Sequence, residues 1–171
     1  MKDTLELINQ MQADRVIDRY AIGGAVGATF YLEPAATLDI DIFVVLPTAG
    51  ESSILTVTPI YEYLKARGCQ IQREHIIVGS WPVQFLPAGD GLEREALVEA
   101  TPTEVDGVKT WVMRAEHLVA LALRTGRAKD YARIIQFLES GTVDHGQLET
   151  VLARYDLLSA WERFQRKYLE K

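Results

Sequence analysis

The chain has 171 residues, of which 48% are hydrophobic and 25% are charged, and its formal net charge is −6. This length and apolar content exclude intrinsic disorder and collagen-like structure, and they predict one compact unit. The net negative charge argues against non-specific electrostatic binding to nucleic acid or to anionic membranes.

The sequence carries no sign of export or of a membrane anchor. Cys69 is the single cysteine, so no internal disulfide can form, and the three histidines are too scattered in sequence to suggest a zinc cluster. Residues 1–15 lack the apolar core of a signal peptide, and no apolar run approaches the roughly 20 residues that span a bilayer. We therefore expect a cytoplasmic protein without a membrane partner.

The N-terminal part of the chain predicts a helix, a strand, a glycine turn and a second helix. Residues 3–18 place apolar side chains at helical spacing, and residues 20–22 form a short apolar strand. Gly23 and Gly24 follow directly, and the small residues of 25–31 suit a short helix that packs close to a sheet. A glycine turn between a strand and a helix exposes backbone amides to which phosphate oxygens can bind.

Residues 38–46 form the clearest strand of the sequence, and it carries two aspartates on one face. Because side chains alternate along a strand, Asp39 and Asp41 lie on one face with their Cβ atoms about 6.5 to 7 Å apart, and the opposite face is aliphatic. Two carboxylates this close are unfavourable unless a cation or a proton joins them, and Mg²⁺ is the cation that phosphoryl and nucleotidyl transfer uses. The alternative is a strand end where both aspartates are solvated or paired with arginine.

A helix with an internal proline is predicted next. Ser52 and Ser53 offer an N-cap, apolar side chains recur at helical spacing over 54–64, and Gly68 provides a stop. Pro59 lies inside this pattern, so it either kinks the helix or resets its start.

The remaining chain changes from strands to helices. Four elements are predicted first: strands over 70–78 and 80–87 with a tight turn between them, a helix over 93–99, and an Asp-Gly hairpin over 104–112. Apolar stripes then predict helices over 114–125, 129–139, 145–155 and 157–169. The predicted fold class is α+β, with a mixed sheet flanked by helices in residues 1–112 and a C-terminal helical segment in 113–171 packed on that core.

Two of these motifs together resemble the signature of a known family. Ile22-Gly23-Gly24 followed by Thr37-Leu38-Asp39-Ile40-Asp41-Ile42 looks like the signature of the nucleotidyltransferase (polymerase-beta-like) fold. The likeness is greatest to the minimal and AbiEii-toxin-like branches that occur in bacterial toxin–antitoxin pairs. The segment from Arg114 to Asp130 is similar to the helical segment that follows the catalytic sheet in those proteins.

The resemblance implies a reaction, a cofactor and a first set of site residues. It assigns the phosphates of a nucleoside triphosphate (NTP) to Gly23 and Gly24, and it assigns Mg²⁺ to Asp39 and Asp41. The implied reaction transfers a nucleoside monophosphate to a hydroxyl of an acceptor. The acceptor is left open between an RNA end, a protein hydroxyl and a small molecule, and a cognate antitoxin-like protein is an implied partner.

A basic cluster near the start of the C-terminal helices is the next candidate for contact with the triphosphate. Arg124 stands where the family has a lysine, and Lys129 lies in the same cluster together with Arg127 and Arg133. Arg133 replaces an acid that often follows the Lys-Asp pair in the family. The alternative for these cations is a solvated helix face.

In the family, a third carboxylate usually lies on a later strand and faces the aspartate pair. This sequence has no acid at the corresponding position. Gln84 is the best positional candidate for it, and a neutral amide can neither act as a base nor attract Mg²⁺ as a carboxylate does. Glu74 or Asp90 are the possible substitutes. The sequence therefore leaves two hypotheses, an active nucleotidyltransferase and a catalytically degenerate relative that binds a nucleotide or a protein partner.

Overall fold

The computed structural model describes residues 1–34, 39–47 and 56–170, and within these ranges the chain forms seven strands and eight helices. The strands are β1 (Arg19–Ile22), β2 (Ile40–Val45), β3 (Gln70–Gln72), β4 (His75–Val78), β5 (Trp81–Pro87), β6 (Thr101–Val105) and β7 (Val108–Val112). The helices are α1 (Lys2–Ala13), α2 (Gly24–Ala28), α3 (Thr58–Lys65), α4 (Gly91–Val98), α5 (Ala115–Thr125), α6 (Ala128–Ser140), α7 (His145–Arg154) and α8 (Leu158–Tyr168).

All seven strands form one mixed sheet in the order β3-β4-β5-β2-β1-β7-β6. Strand β2 lies near its centre, antiparallel to β1 and parallel to β5. Strand β1 in turn pairs in parallel with β7. The mixed sheet and its flanking helices confirm the predicted α+β class.

One face of the sheet is closed by the helices of the N-terminal half. The aliphatic side chains of Ile40, Ile42 and Val44 in β2 are fully buried there, and they belong to one hydrophobic cluster with residues of α1 and α3. The alternate residues of β2 are only partly buried. The predicted two-faced character of this strand is therefore confirmed for its described residues, while Thr37 and Leu38 lie outside them.

The other face of the sheet is covered by helices from the C-terminal half. Helix α5 is buried along residues 115–123, and it packs against α2, α4, α6 and α7. Its side chains share a hydrophobic cluster with Ala21 of β1 and with Phe137 of α6. The C-terminal helices and the sheet thus bury apolar surface against each other.

Several local predictions change in the structure, and the alternative left open at Pro59 is resolved. Helix α1 ends at Ala13 rather than at residue 18, because the chain turns through Arg15 at φ +58°. The predicted single strand over 70–78 is wrong, since Arg73 at φ +58° divides it into β3 and β4, which pair antiparallel. Pro59 lies in the first turn of α3 and therefore resets the helix start.

The turn predictions hold where glycine allows the required backbone. Gly79, at φ +63°, joins β4 to β5, and Asp106 with Gly107 joins β6 to β7 with both residues at positive φ. The predicted N-cap residues Ser52 and Ser53 lie outside the described residues. None of the helices in the described part of the chain combines the length and the apolar character that crossing a bilayer requires.

Candidate functional site

Asp39 and Asp41 line one cleft, of about 610 Å³, between the sheet and helices α5 and α6. Asp41 is the second residue of β2, and Asp39 directly precedes that strand. Because side chains alternate along a strand, both carboxylates lie on the face opposite the buried isoleucines. We call this space the central cleft; its floor also includes Phe43 and Gln84.

The glycine turn packs closely against β2. This is possible because Gly23 and Gly24 have no Cβ. Gly24 has φ +56°, and a Cβ at this residue would lie 1.9 Å from Oδ2 of Asp41. A Cβ on Gly23 would lie 2.6 Å from Cε2 of Phe43. The Gly23 amide also donates a hydrogen bond to the Asp41 carbonyl oxygen (3.0 Å). The turn after β1 and the acidic part of β2 are therefore fitted to each other.

The ionisation of Asp41 is opposed by its surroundings. Burial raises the pKa of the Asp41 carboxyl above its ordinary value, and the negative charge of Asp39 raises it further. The positive charges of Arg127, Arg133 and Lys129 act in the opposite direction on the same pKa. A cation bound beside Asp41 would therefore favour the charged form of its carboxyl.

Asp39 has a neighbour that the sequence did not single out. His75 Nε2 lies 3.0 Å from Oδ2 of Asp39, within hydrogen-bond distance. His75 begins β4, which is separated from β2 by β5 in the sheet. Its contact with Asp39 depends on the order of the strands, so no local pattern in the sequence indicates it.

Gln84, the candidate for the position of the third carboxylate, lies beside Asp41 on the neighbouring strand β5. Strands β2 and β5 run parallel with Asp41 paired to Gln84, and the Gln84 side chain lines the central cleft. Neither predicted substitute is part of the described cleft lining: Glu74 lies in the turn between β3 and β4, and Asp90 caps the start of α4. Within residues 1–34, 39–47 and 56–170, no group of three or more His, Cys, Asp or Glu side chains is placed to hold a metal ion.

The basic side of the central cleft comes from the start of α6. Arg127, Lys129 and Arg133 line the cleft together with Asp130. Arg124, which the sequence suggested for this role, is absent from the described lining because its guanidinium pairs with Asp90 and with Glu93 of α4 (2.6 Å to Glu93).

Asp130 is the anchor of this basic group. Its side chain is buried, and it accepts hydrogen bonds from Nε (2.7 Å) and Nη2 (3.2 Å) of Arg127. The second cation, Arg133, lies 3.7 Å from the same carboxylate. Asp130 is therefore in contact with both arginines.

Comparison with known proteins identifies the fold through structure alone. No protein-family model matches the chain, and a search of curated proteins finds no significant match. Among solved structures, the chain is similar to the antibiotic-resistance factor ANT(2'')-Ia in solution (TM-score 0.54, 14% identity, 96% of each chain covered).

Two further solved structures agree with this assignment. The crystal structure of ANT(2'')-Ia in complex with adenylyl-2''-tobramycin has a TM-score of 0.53 at 14% identity, covering 96% of this chain and 98% of the other. A nucleotidyltransferase-like antigenic protein from Paracoccidioides brasiliensis has a TM-score of 0.52 at 19% identity, covering 94% and 93%. The chain therefore has the nucleotidyltransferase fold, whereas the AbiEii-toxin-like branch is not confirmed.

Proposed function

We propose that this protein transfers a nucleoside monophosphate from an NTP to a hydroxyl group of an acceptor, with Mg²⁺ as cofactor. The observation that carries the proposal is the central cleft, in which two carboxylates, a glycine turn and a basic helix start come together. The complex of ANT(2'')-Ia with adenylyl-2''-tobramycin supports the proposal, because a protein of similar fold there holds an adenylylated compound.

The donor chemistry of the central cleft fits a hard divalent cation. Asp39 and Asp41 offer carboxylate oxygens, the ligands that Mg²⁺ prefers, and their mutual repulsion would be relieved by a positive ion. When bound, such an ion neutralises phosphate charge and polarises the phosphorus that is attacked. Asp39 and Asp41 would hold it, and His75 would orient Asp39.

The remaining residues would bind the triphosphate and the acceptor. The turn at Gly23 and Gly24 would offer backbone amides to phosphate oxygens, while Phe43 and Asp41 fill the space that the two Cβ atoms would take. Arg127 and Lys129 would donate hydrogen bonds to the phosphates from the other side of the cleft. Arg124 would act only indirectly, because its ion pairs tie α5 to α4.

The proposed reaction is one displacement at the α-phosphorus of the NTP. The acceptor oxygen forms a bond to this phosphorus, the bond from the phosphorus to the bridging oxygen breaks, and pyrophosphate leaves with that electron pair. The acceptor proton passes to water at the open side of the cleft, since the Gln84 amide cannot accept it. Gln84 would instead orient the acceptor hydroxyl by a hydrogen bond.

A second function is favoured by the pairing of Asp41 with Gln84. Without a carboxylate at residue 84, the cleft could bind a nucleotide without transferring it. The protein would then act as a nucleotide-binding or partner-binding module, as in a toxin–antitoxin pair. RNA ends, protein hydroxyls and small molecules remain the acceptor classes for the first function.

Labelled NTPs with Mg²⁺ separate the two functions. The purified protein is incubated with each of the four α-labelled NTPs and with candidate acceptors from all three classes, and the transferred label is measured. We expect a labelled product that Asp41→Asn abolishes, whereas Asp18→Asn, at an exposed residue outside the cleft, leaves it unchanged. Nucleotide binding without product, together with activity in Gln84→Asp, would support the second function. Absence of both binding and transfer would contradict both.

A further inference from the structure

We propose that the central cleft takes one divalent cation per nucleotide, and that Arg127 and Arg133, oriented by Asp130, supply the positive charge that a second cation would bring. This inference rests on the proposed function, because it concerns how the same cleft holds an NTP. It makes Asp130 a positioning residue and adds Arg133 to the phosphate-binding residues.

The supply of carboxylates is the first reason for a single ion. Two catalytic metal ions about 3.5 to 4 Å apart are held by several carboxylates. Here, the described lining of the cleft offers Asp39 and Asp41, while Gln84 occupies the neighbouring position on β5 with a neutral amide. Two carboxylates balance the charge of one divalent ion, and an amide oxygen adds no negative charge for another.

Asp130 is not a further metal ligand, because its carboxylate is paired with two arginines. Its side chain is only 2% exposed and lies in contact with both guanidinium groups, at 2.7 Å from Arg127 and 3.7 Å from Arg133. A buried carboxylate that accepts hydrogen bonds from one guanidinium and forms an ion pair with a second is not available as a metal ligand. It instead holds the two arginines at the edge of the cleft.

The arginines still have donors for a ligand. A guanidinium has five N–H groups, and the Arg127 side chain donates to Asp130 through Nε and Nη2. The Arg127 side chain is 59% exposed, and that of Arg133 is 20% exposed, so both can be reached from the cleft they line. Their planar donors suit phosphate oxygens.

The charge of the described lining favours the same conclusion. The ionisable residues of this lining are Asp39, Asp41, Asp130, Arg127, Lys129 and Arg133. The three negative and three positive charges cancel, so the lining itself has no net charge. A bound NTP adds negative charge, which one divalent ion and the exposed arginine donors would neutralise. A second divalent ion would instead meet three cations without another carboxylate, and like charges repel.

Counting bound ions tests the proposal without measuring activity. Mn²⁺ is titrated into the full-length protein with a saturating non-hydrolysable ATP analogue, and bound Mn²⁺ is counted by electron paramagnetic resonance. We expect one Mn²⁺ per nucleotide in the unaltered protein and two in Gln84→Asp. Two Mn²⁺ ions in the unaltered protein would overturn this inference and leave the proposed function intact. A lack of any nucleotide-dependent Mn²⁺ binding would overturn both.

Affinity for the ATP analogue tests the role of the arginines. Arg133→Gln should weaken nucleotide binding at least about tenfold with the Mn²⁺ count still one, because a charge-assisted hydrogen bond is lost. The matched control is Arg163→Gln on the exposed face of α8, outside the cleft. Asp130→Asn should weaken binding while circular dichroism stays unchanged, and equal affinity in Arg133→Gln and Arg163→Gln would overturn the assignment.

Discussion

Gly24 and Asp41 show how a residue without a side chain determines where a neighbouring carboxylate lies. The Asp41 carboxylate occupies the space that a Cβ on Gly24 would take. The position of the Asp41 carboxylate therefore requires a residue without a Cβ at Gly24. A larger residue would have to displace Asp41 from the cleft or move the turn away from the sheet.

The substitution Gly24→Ala tests this fit. We expect it to abolish Mn²⁺-dependent binding of the ATP analogue, because the new Cβ collides with Oδ2 of Asp41 at 1.9 Å. The matched control is Gly141→Ala, since Gly141 has a similar φ of +68° and no atom within 4 Å of a built Cβ. Positive φ should cost each variant about 1 to 2 kcal/mol in thermal unfolding. Equal nucleotide binding in both variants would contradict the role of Gly24.

At the scale of secondary-structure elements, Glu95 joins three helices. This side chain of α4 accepts hydrogen bonds from Tyr155 at the end of α7 (2.6 Å) and from Arg154, and it lies 3.1 Å from Nε2 of His117 in α5. Burial by itself raises the pKa of the Glu95 carboxyl, but these hydrogen bonds outweigh it and lower the pKa to about 2. The charged form of Glu95 therefore stabilises the contact between α4, α5 and α7.

The Glu95 contact predicts a dependence of stability on pH. Because the pKa of Glu95 is lower in the folded than in the unfolded state, its contribution is complete above pH 4.5, the ordinary pKa, and is lost as the pH falls towards about 2. Glu95→Gln should remove this part of the pH dependence and cost about 1 to 3 kcal/mol at pH 7, measured by urea unfolding. Tyr155→Phe should shift the loss to higher pH, and an unchanged profile in both variants would contradict the interpretation.

At the scale of the whole molecule, the sheet is closed on both faces by helices from different parts of the chain. One hydrophobic cluster unites β2 with α1 and α3, and the other unites the sheet with α5 to α8. The central cleft lies on the second face, with α5 and α6 forming one wall. Removal of the C-terminal helices would therefore expose the cluster that the sheet shares with α5 to α8, and it would also remove one wall of the cleft.

Truncation after residue 112 tests whether residues 1–112 fold alone. We expect the truncated chain to lack a cooperative thermal transition, because the apolar face of the sheet that packs on α5 is exposed to water. The full-length chain should unfold in a single transition. Phe137→Ala, at a fully buried residue of α6, should lower its stability by about 3 to 5 kcal/mol without splitting that transition. A folded 1–112 fragment or two separate transitions would contradict this expectation.

Local features were predictable because they depend on near neighbours in the chain. Alternation along β2 placed Asp39 and Asp41 on one face, and the Asp-Gly pair at 106–107 indicated a hairpin turn that the structure contains. The break between β3 and β4 was missed, because Arg73 adopts a positive φ that its residue type does not favour.

Sequence by itself determined the α+β class, the glycine turn and the acidic strand, since these follow from periodicity and from backbone preference over a few residues. The tertiary structure alone decided that His75 meets Asp39 and that Arg124 pairs with α4, leaving Arg127 and Arg133 on the cleft. These contacts join residues far apart in the chain. They depend on strand order and helix packing, for which no short segment carries the information.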